Sequence, residues 1–253
     1  MFMEERHAAI LDILAEKGSV TTAELQARFG ISYDSAKRDL RLLEEAGKLR
    51  RTHGGAIPVG ALNNTAPRRS TVLDASGDEC VRIAQYAVSL IKEDELIFLP
   101  SCRMGEMIAE RLPRILRTRV VTGSITVAQM LRRREGVTVI LVGGEVDGEG
   151  NCHDSFAADT LRRFRFDKTF LSTDAVSADF GASVRDTAAV ACLSVAVDGA
   201  KKVIGVYPSA CVGESASVSV CPAKRLDAII TGGISDDVRR SFDNCGVSVV
   251  ACE

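Results

Sequence analysis

The sequence has no tryptophan, and aromatic residues make up only 5% of its 253 residues. Proteins that bind single-stranded nucleic acid stack successive bases on aromatic side chains, so this composition argues against such a protein. No apolar run approaches the ~18 residues that a membrane-spanning helix requires, and the N-terminal residues lead directly into a charged periodic segment. We therefore expect a soluble, cytoplasmic protein with no membrane partner.

Cysteine motifs and an excess of positive charge are also missing. The eight cysteines are scattered and no two are spaced as CxxC, which argues against a structural zinc site and favours reduced thiols. Lys and Arg total 32 against 34 for Asp and Glu, giving a net charge of −2. Any affinity for nucleic acid must therefore come from a local basic patch. No metal and no cofactor is expected.

The sequence does contain enough apolar material for packed cores, because 46% of its residues are hydrophobic. Residues 1–58 carry the signals of short, capped helices, whereas residues 76–253 alternate strand-like and helical patterns. The segment between them is polar and has no sustained hydrophobic period, which is typical of a linker. We predict a small domain at 1–58, a linker at 59–75 and a larger domain at 76–253.

The first domain has the pattern of a winged helix-turn-helix. Thr21 and Glu24 match a capping box, and Ser32 is a favourable N-cap for a further helix. The apolar spacing and the caps predict helices over about 4–17, 22–29 and 33–46, followed by a cation-rich hairpin over 48–57.

The second domain alternates helices with strands that are apolar on both faces. This pattern indicates an α/β fold with a mostly parallel sheet covered by helices, and ligands bind such sheets at the carboxyl ends of the strands. The helices are predicted near 78–91, 104–116, 126–133, 156–163, 186–198 and 236–244, and the strands near 96–99, 119–122, 137–142, 168–173, 202–207, 227–231 and 248–251.

The third predicted helix has a cationic outer face beside an apolar stripe of Ala36, Leu40 and Leu43. A run of charges is usually only a solvated face, but a helix of this design also suits the major groove of DNA. The candidate DNA contacts on this helix and in the hairpin are Ser32, Tyr33, Ser35, Lys37, Arg38, Arg41, Arg51 and His53.

Two of the polar residues in this domain have alternative interpretations. Asp39 is interpreted as structural, orienting Arg38 or capping backbone, because DNA would repel a carboxylate that faced it. His53, before two glycines, either contacts phosphate in the wing or belongs to a tight turn.

Six motifs occur in order along the N-terminal domain, namely Gly18-x-Val20, Glu24-Leu25, Phe29-x-Ile31-Ser32, Lys37-Arg38-Asp39-Leu40, Leu43-Glu44-x-x-Gly47 and Arg51-x-His53-Gly54-Gly55-Ala56. With these motifs the domain resembles the winged helix-turn-helix of the DeoR family of bacterial transcription regulators. The family implies a DNA-binding regulator, expected to be a repressor, with double-stranded operator DNA as one partner and a small-molecule effector as the other.

Four stretches of the second domain carry a further resemblance, namely Val120-Val121-Thr122-x-Ser124, Val142-Gly143-Gly144, Asp167-Lys168-x-Phe170 and residues 175–181. With them the domain resembles the effector domain of the same family, whose fold is related to that of sugar-phosphate isomerases. The family's phosphate loop and its lysine are replaced here by Pro100-Ser101-Cys102-Arg103-Met104 and Tyr207-Pro208-Ser209-Ala210-Cys211, which weakens the inference of a sugar phosphate. Arg103 and the amides of the following helix can still hold an anion. The effector contacts implied by the resemblance are Ser101, Cys102, Arg103, Met104, Thr122, Gly143, Gly144 and Cys211.

The leading hypothesis is a homo-oligomeric regulator, either a dimer or a tetramer, because palindromic half-sites need two recognition helices. The alternative is a sugar-phosphate-type enzyme with an accessory DNA-binding arm. No paired catalytic carboxylate or base stands out in the sequence, so we expect no enzymatic activity and name no catalytic residue.

The cysteines of the second domain suggest a further hypothesis. The resemblance places Cys102 and Cys211 on loops that open on one pocket, with Cys152 and His153 on a third loop facing it. Cys102 beside Arg103 at a helix N-terminus would have its thiolate favoured, so the pocket would respond to oxidation or a soft metal. In the alternative interpretation, these cysteines are small hydrophobic residues of a pocket for an organic ligand.

Limited proteolysis tests the predicted domain boundary. We expect cleavage between residues 58 and 74, because a polar segment without packed apolar residues opens most readily. The fragment 76–253 should remain folded, and its mass in sedimentation should be that of an oligomer. A monomeric fragment would move the subunit contact to the N-terminal domain.

Overall fold

A computed structural model describes residues 3–17, 19–52, 54–58 and 77–252 of the chain. The chain separates into two compact units, and the boundary between them falls within residues 59–76, outside the described residues. The linker at 59–75 therefore stays a prediction. His53 also lies outside the described residues.

The N-terminal unit has the predicted order of helices followed by a wing. Its strands form an antiparallel sheet in the order β1-β3-β2, so the expected hairpin is confirmed and gains a short third strand. The elements are α1 (Met3–Lys17), β1 (Val20–Thr21), α2 (Thr22–Phe29), α3 (Tyr33–Glu45), β2 (Leu49–Thr52) and β3 (Gly55–Pro58).

Caps and an apolar core fix these helices. The Glu24 amide donates to the Thr21 hydroxyl at 3.1 Å and the Thr21 amide donates to the Glu24 carboxylate at 2.8 Å, which confirms the capping box. Apolar side chains from all three helices and all three strands pack together, and those that are buried are Ile10, Ile13, Leu14, Val20, Leu25, Ala36, Leu40, Leu43, Leu49 and Ala56.

The wing depends on the glycine at position 55. A Cβ atom there would lie 1.9 Å from the carbonyl oxygen of Val20, so only glycine lets β3 pair this closely with β1. Packing thus explains the glycine at position 55, whereas a Cβ atom at Gly54 would meet no neighbouring atom within 4 Å.

The second unit is built on a seven-stranded sheet in which every neighbouring pair is parallel. The strand order is β13-β12-β10-β7-β4-β5-β6. The elements are α4 (Gly77–Ser89), β4 (Leu96–Phe98), α5 (Arg103–Arg111), β5 (Thr118–Thr122), α6 (Ile125–Leu131), β6 (Val137–Leu141), α7 (Ser155–Leu161), β7 (Phe166–Leu171), β8 (Ala175–Ser177), β9 (Gly181–Val184), α8 (Val190–Asp198), β10 (Ala200–Val206), β11 (Val218–Cys221), β12 (Ala228–Thr231), α9 (Asp236–Asp243) and β13 (Ser248–Ala251).

Alternate residues of each strand enter two separate cores, one on each face of this sheet. In β4, Phe98 belongs to one core and Ile97 to the other, as expected for a strand covered on both sides. Helices α4, α5 and α6 cover the Ile97 face, whereas α7, α8 and α9 cover the Phe98 face. The predicted α/β class, a mostly parallel sheet between layers of helices, is confirmed.

A small antiparallel sheet was not predicted. It has the order β11-β9-β8 and adds to the core on the Phe98 face.

Some predicted boundaries are also wrong. Helix α5 ends at Arg111 instead of 116 because Pro113 disfavours helical backbone before it. Helix α8 begins at Val190 instead of 186 because the Asp186 carboxylate accepts from the Ala188 amide in a turn.

The order of the strands marks the place where a ligand is expected. From β4 the chain first adds β5 and β6 on one side and then crosses back to add β7 on the other. The loops after β4 and β7 therefore diverge at a topological switch point, where open α/β sheets bind ligands.

Within the ranges described, none of the helices combines the length and the hydropathy needed to cross a bilayer.

Candidate nucleic-acid interface and ligand cleft

The outer face of α3 carries the predicted DNA contacts. Tyr33, Lys37, Arg38 and Arg41 are exposed, while the stripe on the opposite face of the helix is buried. The ammonium of Lys37 lies 4.5 Å from the centre of the Tyr33 ring, so the ring holds this cation close to the first turn of the helix. This surface presents cations on a rigid element.

The start of α3 is fixed by its cap. The Ser35 amide donates to the Ser32 hydroxyl at 3.2 Å, and the two hydroxyls are 2.9 Å apart. Both serines therefore already serve the helix terminus, and Ser32 is also exposed at the end of the helix that would face phosphate.

Asp39 clamps α3 to α1. Its side chain is only 3% exposed and accepts two bonds from the Arg6 guanidinium, at 2.6 and 3.1 Å. The His7 Nε2 atom lies 3.1 Å from the same carboxylate. The structural interpretation of Asp39 is confirmed, but its partners are Arg6 and His7 of the first helix and not the neighbouring Arg38.

The pKa of Asp39 reflects this clamp. Burial alone would raise the pKa, but the hydrogen bonds from Arg6 and His7 and their positive charge outweigh burial and hold the pKa below its usual range. The carboxylate is thus charged at neutral pH and points away from the exposed face of α3.

The wing supplies one further described candidate. Arg51 lies on β2 with a half-buried side chain, and its amide donates to the Glu44 carboxylate at 2.8 Å. On α3 itself, Arg41 lies 3.9 Å from Glu45, whereas Arg38 has no ion-pair partner among the residues that the structure describes. Arg38 is therefore available for another anion.

The second unit has a cleft at the carboxyl ends of β4, β5 and β6, beside the switch point. It is narrow, with space for about one water molecule. Its lining combines apolar core residues with a few polar groups, namely Phe98, Ser101, Gly123, Val142, Cys152, His153, Leu161, Cys192 and Leu193. A metabolite would enter only if the loops around it open.

The predicted effector contacts are only partly brought to this cleft. Ser101 lines it, and Gly143 follows the lining residue Val142. Arg103 is exposed and pairs with Glu106 at 3.1 Å. By contrast, Met104 is fully buried in the core on the opposite face of the sheet, so its assignment as a direct contact does not fit this cleft.

The remaining predicted residues serve the fold around the cleft. Thr122 is fully buried, and its hydroxyl accepts from the Ser124 amide at 3.1 Å. Gly144 packs against the Asp154 carboxylate, where a Cβ atom would be only 2.2 Å from an oxygen. Cys211 is fully buried in the core of the Phe98 face. These three residues do not line the cleft.

Several lining residues were not predicted as effector contacts. Gly123 allows the loop at residue 152 to approach, because a Cβ atom would lie 2.7 Å from the Cys152 carbonyl oxygen. A glycine directly after a strand is a signal that could have indicated this site. Cys192 comes from helix α8, and its thiol donates to the His153 carbonyl at 3.4 Å. Nothing in the local sequence pattern relates Cys192 to His153.

A buried polar group lies at the carboxyl ends of β7 and β10. The Tyr207 hydroxyl is 2.9 Å from the Thr173 hydroxyl, and the tyrosine is fully buried. Burial raises the pKa of Tyr207 well above its usual value, and nearby Cys221, Cys211 and Cys102 add to the rise. The phenol is therefore neutral and holds the loop after β7 in place.

The expectation of a reactive thiol at position 102 is wrong. Burial raises the pKa of Cys102, and this effect exceeds the stabilisation of its thiolate by the Gly105 and Met104 amides and by Ser172. Burial likewise raises the pKa of Cys192 to about 11. In the described part of the chain, no three His, Cys, Asp or Glu side chains are grouped closely enough to hold a metal ion.

These environments predict how the thiols react. A thiol-specific reagent at pH 8 should modify one cysteine rapidly, because Cys245 is exposed whereas Cys102 and Cys192 carry little thiolate. Cys245→Ser should remove the rapid phase and Cys102→Ser should leave it unchanged. Loss of the rapid phase in Cys102→Ser would restore the redox hypothesis.

Comparison with known proteins identifies both units. The sequence matches the DeoR-like helix-turn-helix domain over residues 6–59 and the DeoR C terminal sensor domain over residues 77–233. The chain belongs to the DeoR family. It is a DNA-binding transcription regulator, and the seven-stranded unit is its sensor domain.

Curated DeoR-type relatives match most of the chain. The HTH-type transcriptional repressor GlcR of Bacillus subtilis (strain 168) is 28% identical, covering 100% of this chain and 98% of its own. The Glycerol-3-phosphate regulon repressor of Escherichia coli (strain K12) is 27% identical, covering 91% of each. The Lactose phosphotransferase system repressor of Lactococcus lactis subsp. lactis is 34% identical, covering 70% of this chain and 71% of its own.

Proposed function

We propose that this DeoR-family chain is a repressor that binds operator DNA through α3 and the wing and is released by a small metabolite. The exposed cations of α3, held on a helix that Asp39 clamps to α1, carry the proposal. The relatives named above are repressors, which supports this sign of regulation. A regulator of this kind works where the DNA is, in line with the expected cytoplasmic location.

The proposed DNA contacts are divided between the helix cap, the helix face and the wing. Lys37, Arg38 and Arg41 would contact guanine edges or phosphates in the major groove, while the cap and Tyr33 would contact phosphate. The full set that we propose is Ser32, Tyr33, Ser35, Lys37, Arg38, Arg41 and Arg51, with His53 as an additional candidate from the sequence.

The proposed effector site is the cleft beside the switch point. Ser101, His153 and Gly143 would contact the metabolite, and Arg103 at its edge would hold an anion if Glu106 released it. The other predicted residues, Cys102, Met104, Thr122, Gly144 and Cys211, would act by shaping the surrounding loops and core. One relative is named for glycerol 3-phosphate, which makes a small phosphorylated metabolite the first class to test.

The alternative of an enzyme with a DNA-binding arm has less support, because the matched relatives are named as regulators. We further propose a homo-oligomer, since two recognition helices are needed for two half-sites of a palindromic operator.

Binding to the DNA upstream of the protein's own gene tests this function. The full chain should bind this DNA saturably, with an affinity that falls steeply as salt rises, and a panel of sugar phosphates and free sugars should include a compound that releases it. Binding equal to that of an unrelated DNA fragment, together with turnover of a sugar phosphate, would favour the enzyme instead.

A further inference from the structure

Strand β6 forms one edge of the seven-stranded sheet and lacks the usual protection of an edge. Its sequence, Val137 to Leu141, contains no charged residue and no proline. At the opposite edge, Arg239 donates to the Val249 carbonyl of β13 at 2.8 Å. No side chain within the described ranges bonds to the backbone of β6, so this edge is open to a further strand.

Exposed apolar side chains continue from this edge. Leu141 is 44% exposed, Val146 is 55% exposed and Phe156 is 71% exposed. The Asp154 carboxylate, which caps α7 at the Ala157 amide, also accepts from the Glu145 amide at 2.8 Å. This contact brings Phe156, in the first turn of α7, next to the loop that follows β6. An apolar surface at an open edge indicates an interface.

The two ends of β6 carry opposite charges. Arg132 and Arg133 are exposed just before the strand, where residues 132–135 have three arginines and one glutamate. After the strand, residues 143–149 carry Glu145, Asp147 and Glu149 without a basic residue. Neither Arg133 nor Glu145 has an ion-pair partner among the described residues.

A second copy of this chain fits such an edge. Two copies related by a two-fold axis present the same strand to each other, and the axis makes the two strands antiparallel. With the axis at Val139, Arg133 and Glu145 are each six positions from it in sequence, so the basic end of one strand meets the acidic end of the other. We propose that β6 pairs with β6 of a second copy and joins the two sheets in a dimer.

Charge reversal tests this pairing in the full chain. Arg133→Glu and Glu145→Arg, each alone, turn two attractions across the axis into two repulsions, and we expect the dissociation constant to rise at least about tenfold in sedimentation equilibrium. The doubly substituted chain restores the attractions with exchanged signs and should recover the parent mass. An equimolar mixture of the two singly substituted chains should also form a heterodimer.

The control is Arg162→Glu, an exposed arginine on the C-terminal side of α7, which should leave the dimer unchanged. As a second variant, Leu141→Lys places like charges near the axis and should weaken the dimer about a hundredfold. In samples dilute enough for both proteins to be monomeric, the variant and the parent should have the same thermal unfolding midpoint. The proposal is overturned if the parent is monomeric. It is also overturned if both singly substituted chains keep the parent mass, or if the doubly substituted chain and the mixture stay monomeric.

Discussion

Asp39→Ala is expected to destabilise the N-terminal unit by about 3 kcal/mol and to abolish DNA binding. The substitution removes a carboxylate that is 3% exposed and leaves Arg6 and His7, at 15% and 17% exposure, facing each other without their anion. A domain of under 60 residues has a stability of only a few kcal/mol. The loss is therefore comparable with the whole stability of this unit.

Hydrogen exchange in the full chain measures this effect locally. Amides of α1 and α3 should lose protection in Asp39→Ala, whereas the sheet of the sensor domain should keep it. Glu45→Ala is the matched control on the same helix, because its side chain is 64% exposed and its pair with Arg41 contributes little. Unchanged protection of α1 and α3 would show that the clamp is not needed for the fold.

Because the pKa of Asp39 is lowered, the contribution of the clamp to the stability of the unit depends on pH. Because the folded pKa lies below the unfolded value of about 3.9, the clamp stabilises the fold fully above that value. Its contribution is lost as the pH falls through the folded pKa. Near neutral pH the carboxylate stays charged, so its titration does not change the stability of the unit there.

The sequence specified the DNA-binding unit well because its signals are local. The capping box at Thr21 and the N-cap at Ser32 lie within three residues of their partners, and the apolar stripe of α3 follows helical spacing. The partners of Asp39 could not be predicted because Arg6 and His7 are more than 30 residues away along the chain. A buried aspartate on an otherwise apolar face of the helix does not show which cations will pair with it.

In the sensor domain the sheet could be predicted, as could Ser101, Cys152 and His153 at the cleft, but the rest of the cleft lining could not. The apolar run at residues 96–99 identifies β4. Strand β8 has a single large apolar residue, Val176, and cannot be distinguished from a loop. The cleft joins Ser101, after β4, with Cys192 of a helix that follows five strands later. Such a pair depends on the packing of the small antiparallel sheet and α8, which no local spacing reveals. The environment of Cys102 could not be predicted for the same reason, because its pKa is raised by burial, and burial depends on packing between elements that are distant in sequence.

Lys37→Ala combined with Arg38→Ala is expected to lower affinity for specific DNA at least about a hundredfold without unfolding the protein. Both side chains are exposed on α3, outside the stripe of Ala36 and Leu40, so their removal leaves the core intact. Each base or phosphate contact of this type contributes about 1–3 kcal/mol. Two lost contacts of this size together correspond to about a hundredfold or more in affinity, and those that reach base edges also lower the preference for operator over unrelated DNA.

Titrations at several salt concentrations distinguish the kinds of contact that are lost. Every phosphate contact that disappears should reduce the slope of log K against log salt by about 0.9, whereas a lost base contact leaves the slope unchanged and lowers the preference for operator. Arg114→Ala with Arg117→Ala is the matched control, since it removes the same charge from exposed positions of the sensor domain. If the control weakened binding as much as the α3 substitutions, general charge and not this helix would hold the DNA.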